Sequence, residues 1–162
     1  MRIIVDLDAQ TLVLEEAGVT LARYPVSTAR AGAGEQDGSE RTPRGQHIVR
    51  ARIGAGQASG TVFRGRRPTG EICDAAAFSA EPGRDWILSR ILWLSGCEPG
   101  RNRLGAVDTM RRYIYIHGAP DAVPLGVPLS HGCIRMRNAH VIDLFDRVPV
   151  GTAVDIVGGE DA

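Results

Sequence analysis

The chain has 162 residues, 19 Lys and Arg against 19 Asp and Glu, and 43% hydrophobic against 23% charged residues. That length and composition indicate one soluble domain large enough to bury a real core. Zero net charge excludes the overall basic footprint of a nucleic-acid binder, and no run approaches the ~20 apolar residues of a membrane span.

Residues 2–7 (RIIVDL) are rich in β-branched side chains and read as a strand. No apolar h-region or cleavage site precedes Asp6 and Asp8, so no signal peptide is expected and the chain is expected to stay where it is made. Asp8-Ala9-Gln10 supplies turn chemistry, residues 11–14 (TLVL) begin a second strand, and residues 15–18 form a tight turn before a third strand over 19–26. Short strands joined by tight turns predict antiparallel β structure. Residues 27–45 shift to Ala, Gly, Ser and charge, a polar loop long enough to be functional or mobile. Residues 47–53 resume as strand.

The stretch 54–103 is loop-rich. Within it, Arg64, Arg66 and Arg67 form a basic patch that reads as a solvated loop or as the contact for a small anion. Residues 86–94 (WILSRILWL) are an apolar run between Gly83 and Gly96, predicted as a strand because its surroundings are β and no helix cap is evident. Residues 113–116 (YIYI) form another strand. Asn138 is the expected N-cap of a helix that presents Val141, Ile142, Phe145 and Val148 on one face and stops at Pro149 and Gly151. A strand over 152–157 closes a single domain of residues 1–158, and 159–162 form a polar tail.

The chemistry concentrates between residues 113 and 138. Three cysteines form no disulfide framework, and their odd count leaves at least one thiol free. Cys133 follows Gly132, where backbone can approach a substrate without a Cβ and can offer N–H donors to an oxyanion. A thiol is mostly protonated at neutral pH and needs a neighbouring base to become a nucleophile. Two histidines compete for that role. His131 is two residues away and would share a face in an extended segment, whereas His117 sits at a strand end. Zinc held by His117, His131 and Cys133 is the metal alternative, but neither a C-x-x-C nor an H-E-x-x-H spacing supports it. Cys73 and Cys97 read as incidental.

Ile116-His117-Gly118, then Ser130-His131-Gly132-Cys133-Ile134-Arg135-Met136, then Asn138 resemble the signature of the L,D-transpeptidase (YkuD-type) catalytic domains. The first hairpin, Pro25-Val26-Ser27-Thr28, Thr42-Pro43-x-Gly45 and the Gly151-Thr152-x-Val154 ending extend the resemblance over nearly the whole chain. Ala29 stands where that family commonly has Gly, and the connection from His117 to Ser130 is short. The resemblance implies a mostly β fold, a sandwich-like pair of β-sheets with one packed C-terminal helix. It implies a cysteine acyltransferase of peptidoglycan stem peptides or muropeptides, working without a cofactor and open to carbapenem-type β-lactams as covalent inhibitors.

On matching positions Cys133 is the nucleophile, His117 the base and the Gly118 carbonyl its orienting group. Gly132 and Cys133 supply oxyanion N–H groups, and Ser130 and His131 give hydrogen-bonding support. Arg135 is a carboxylate clamp or a structural ion pair. The implied thioester passes to an amine of a second stem or, in a carboxypeptidase, to water. A non-catalytic peptidoglycan-binding module is the alternative from another class. The family implies the cell envelope or periplasm, while the missing signal peptide keeps a cytoplasmic role in muropeptide recycling open.

Overall fold

The first hairpin shows how the sheet is encoded. Strands β1 (Arg2–Asp6) and β2 (Thr11–Glu16) bury Ile3, Val5, Leu12 and Leu14 completely and leave the alternate positions more exposed. That is the period of a strand with one face on the core. Ala17 and Gly18, both at positive φ, make the two-residue turn into β3 (Val19–Pro25). Glu15 and Glu16, expected in the turn, stay in β2.

The computed structural model describes residues 1–159. Beyond the first three strands it contains β4 (Gly45–Ile53), β5 (Thr61–Arg64), β6 (Arg67–Ile72), α1 (Ala75–Ala80), β7 (Leu88–Gly96), β8 (Tyr115–Ala119), β9 (Ile134–Arg137), α2 (Asn138–Arg147) and β10 (Ala153–Val157). The strands join in one curled ten-stranded sheet, ordered β3-β2-β1-β10-β4-β7-β5-β6, with β8 on β7 and β9 on β8. Mostly β structure with one main packed helix is therefore observed. Antiparallel pairing is not universal: β1 with β10 and β8 with β9 are parallel. Ser27, just past β3, exchanges backbone hydrogen bonds with Arg135 of β9 at 3.0 and 2.9 Å. This contact covers an otherwise open edge of β9.

The apolar run predicted over 86–94 is β7, displaced by two residues. Leu92 and Leu94 enter the main core, whereas Ile91 packs on the opposite side with Phe63 and Tyr115. Helix α2 covers the main core with Val141, Leu144 and Phe145, and Val148 follows at its end. Its N-cap is Arg137, not Asn138. The Asn138 side chain instead accepts the Ser89 hydroxyl at 2.6 Å and donates to the Ala119 carbonyl at 3.1 Å, joining β7 to β8. Helix α1, in the stretch read as loop, is capped by Asp74, which accepts the Ala77 N–H at 2.8 Å.

The 27–45 loop is anchored along its length. The Gln10 side chain accepts the Thr28 N–H at 2.9 Å, and Thr42 accepts the Ala29 N–H at 3.0 Å. Arg112 reaches in and donates to the carbonyls of Gly34, Glu35 and Arg41. Of the expected tail, Gly159 is fixed by Asp8 and Arg44, while residues 160–162 lie outside the described residues.

Candidate active site

Strand alternation sorts β8 and β9 into a core face and a cleft face. Ile114, Ile116, Ile134 and Met136 enter the main core. The intervening Tyr113, Tyr115, His117, Cys133 and Arg135 line a cleft of about 380 Å³. Parallel register with β9 sets His117 beside Arg135, and antiparallel register with β7 sets it beside Ile91 on the other side. The fold thus brings His117, Ser130, His131, Cys133 and Arg135 to one cleft from segments thirteen or more residues apart in the chain.

His117 is buried, and its Nδ1 is 2.7 Å from the Gly118 carbonyl. A carbonyl only accepts, so Nδ1 carries the hydrogen and Nε2 is left as the bare nitrogen. Burial holds the imidazole below its usual pKa, against the opposing pull of the Gly118 carbonyl, and the ring rests neutral. Gly118 has to be glycine for packing: a Cβ there would lie 2.5 Å from Asn138 Oδ1 and 2.7 Å from the Leu88 carbonyl. A bulge in β7, between Leu88 and Ile91, faces this point. It places Ser89 to connect the Gly60 N–H to Asn138.

Cys133 immediately precedes β9. Its thiol donates to the Tyr113 carbonyl at 3.3 Å and its sulfur accepts the Tyr115 N–H at 3.3 Å. Burial pushes the thiol up to about 12, which the Tyr115 N–H only partly counters. Burial thus favours the neutral form of both groups, thiol and imidazole.

The turn before the cysteine is held from both sides. Ser130 donates to the Cys133 carbonyl at 2.6 Å and accepts the Gly132 N–H at 3.2 Å. The Thr42 hydroxyl donates to the Gly132 carbonyl at 2.9 Å. Gly132 itself has φ +134°, and a Cβ would lie 3.2 Å from Ile114. His131 is exposed at the rim and makes no hydrogen bond to the described residues. The support expected from it falls to Ser130 and Thr42.

Arg135 donates to the Leu129 carbonyl at 3.4 Å and pairs with Asp85 at 3.7 Å. Arg66, Asp85, Arg112, Tyr113 and Tyr115 also line the cleft and Thr42 braces its turn; the sequence marks Arg66 only as part of a basic patch and none of the others as a site residue. The alternation of YIYIHG, carried two and four residues back from His117, was the available signal for the tyrosines. Among the described residues no three His, Cys, Asp or Glu side chains gather as a metal site.

Residues 1–156 match the family model described as the L,D-transpeptidase catalytic domain. The putative L,D-transpeptidase YkuD of Bacillus licheniformis is 27% identical over 155 residues, covering 96% of this chain and 64% of that protein. The probable L,D-transpeptidase YbiS of Escherichia coli is 44% identical over 46 residues, 28% of this chain and 15% of that protein. In structure the chain resembles an L,D-transpeptidase from Mycobacterium smegmatis, with TM-score 0.56 and 21% identity over 96% of this chain and 58% of the other. L,D-transpeptidase 3 from Mycobacterium tuberculosis, in complex with a faropenem-derived adduct, gives TM-score 0.59 and 17% identity over 96% and 59%. The chain thus spans less than two thirds of the length of each of these relatives.

Proposed function

The chain belongs to the L,D-transpeptidase catalytic domain family, and from that premise we propose that it is a cysteine acyltransferase acting on peptidoglycan stem peptides. One observation carries this reading. His117 and Cys133 line the same cleft, with the His117 Nδ1 hydrogen fixed on Gly118 and its Nε2 left as the bare nitrogen.

Cys133 attacks the carbonyl of the diamino acid at the third stem position as its thiol proton passes to His117 Nε2. The negative oxygen that forms is taken by backbone N–H donation. The Gly132 N–H is already given to Ser130, so we assign this task to the N–H of Cys133. Collapse of the intermediate breaks the bond to the terminal D-Ala, whose amine leaves with the proton held by His117. The thioester is then attacked by the amine of a second stem, which loses its proton to His117; the carbon–sulfur bond breaks, His117 returns the proton to the Cys133 sulfur, and a 3→3 cross-link results. Water in place of the amine gives a trimmed tripeptide by the same route. Ser130 and Thr42 hold the turn, and Arg135 braces it through Leu129 while facing the cleft. His131 stands at the rim.

Residues 1–158 act as one catalytic domain in this reading, and its place is the cell envelope, where cross-linked peptidoglycan lies. No helix among the described residues is long and apolar enough to cross a membrane. A strained β-lactam carbonyl is a second acyl donor for the same sulfur, in line with the faropenem-derived adduct of the mycobacterial neighbour.

Incubation with a tetrapeptide muropeptide and separation of the products tests the reaction. Cross-linked dimers are the expected product. Tripeptide alone identifies a carboxypeptidase, and unchanged substrate contradicts the acyltransferase.

A further inference from the structure

The β5–β6 hairpin turns on Gly65 and Arg66, with φ of 54° and 62°. Two consecutive left-handed residues are the geometry of a type I′ turn, whose positions favour Gly and Asn. A side chain in that region costs roughly 1 kcal/mol, so an arginine there is strained.

The side chain is directed into the cleft. Its guanidinium lies 4.8 Å from the Trp93 ring centre and 5.1 Å from that of Tyr113, and Nη1 donates to the Tyr115 hydroxyl at 3.1 Å. Those two tyrosines also grip the Cys133 sulfur through their backbone. The cation is therefore one side chain away from the proposed attacking atom. The other cleft arginines are engaged, Arg135 with Asp85 and Arg112 with carbonyls of the 27–45 loop. Among the described residues Arg66 has no carboxylate within 4.0 Å.

We propose that Arg66 determines donor specificity by binding a carboxylate of the acyl-donor peptide beside the attacked carbonyl, an inference that rests on the acyltransferase reading. The guanidinium lies over the aromatic rings and makes one hydrogen bond to the described residues, to Tyr115, so its remaining N–H groups suit a carboxylate. Two groups of the donor have this chemistry: the α-carboxylate of the leaving residue and a side-chain carboxylate on the diamino acid.

The test compares wild type, Arg66→Gln and Arg66→Lys by terminal-residue release from three donors. These are the free-acid tetrapeptide, its C-terminal amide, and the tetrapeptide amidated on the diamino acid side chain. On the free acid, Arg66→Gln lowers kcat/KM about tenfold, mostly through KM, and Arg66→Lys recovers part of the loss. That penalty disappears on one of the two amides, which identifies the carboxylate bound. Ratios between donors within one variant do not depend on how much of the variant is folded. A penalty equal on all three donors, or none on the free acid, overturns the proposal and leaves Arg66 as a pin for the hairpin. Wild-type protein that releases no terminal residue from any donor overturns the acyltransferase reading and the proposal with it.

Discussion

The hydroxyl of Thr42 donates to the carbonyl of Gly132 at 2.9 Å, so the long 27–45 loop ends as a brace on the residue preceding Cys133. Thr42 is fully buried and also accepts the Ala29 N–H. Thr42→Val strands both backbone groups, each of which costs roughly 1–3 kcal/mol when left unpaired. Urea denaturation is expected to show a loss in that range, with Thr42→Ser close to wild type. A stability unchanged by Thr42→Val would contradict the brace.

The two histidines separate on geometry. His117 is buried with its tautomer fixed, whereas His131 is exposed at the rim without a hydrogen bond to the described residues. His117→Ala should lower D-Ala release by at least about a hundredfold, the range of a lost general base. His131→Ala should stay within about 0.5 kcal/mol of wild-type stability, as surface changes do. If the rate collapsed in a folded His131→Ala variant and survived in His117→Ala, the assignment of the base would be reversed.

Much of this was legible in the sequence. The family resemblance carried by Ile116-His117-Gly118 and Ser130-His131-Gly132-Cys133 picks out residues that the fold brings to one cleft. The β7 run was legible from apolar content. The role of Asn138 was not: residue type and position before a helix match an N-cap, and only the bulge that brings Ser89 beneath it reveals the bridge. The parallel β1–β10 pair was equally hidden, since the two strands lie at opposite ends of the chain. Nor does composition reveal an anchored loop. Gly, Ser and Ala read as mobile until the Arg112 guanidinium gathers the carbonyls of Gly34, Glu35 and Arg41.

Burial sets the pH dependence of the reaction. It lowers the pKa of His117 and raises that of Cys133 to about 12. The free base is neutral above its own pKa, so kcat/KM should fall only below the usual histidine range near 6.5. Between about pH 7 and 9 the profile should be flat, because the thiol does not ionise there. Initial rates from pH 4 to 9 check both limbs. A rise through pH 8–9 would show a thiol titrating at its ordinary value.

A second histidine sets part of the pH dependence of stability. His47 is buried between the Gly45 carbonyl, 3.0 Å from Nδ1, and the Thr109 hydroxyl, 2.9 Å from Nε2. Burial lowers its pKa from 6.5 to about 4. As pH falls below 6.5 the unfolded chain takes up the proton first, so this group's stabilisation is intact above 6.5 and lost by about pH 4. The loss amounts to about 3 kcal/mol. Urea denaturation at pH 7 and pH 4.5 should show most of it, and His47→Asn should show a smaller difference between the two. An equal difference in both proteins would remove His47 from this role.

In the proposed reaction the acyl group is held as a thioester on Cys133. Wild-type protein is mixed with tetrapeptide donor, quenched in acid and weighed intact, and its peptides are then mapped. The expected result is a mass gain equal to the donor minus D-Ala, carried by Cys133 and absent from Cys133→Ala. An unmodified protein that still releases D-Ala, or an adduct on Cys73 or Cys97, would contradict it.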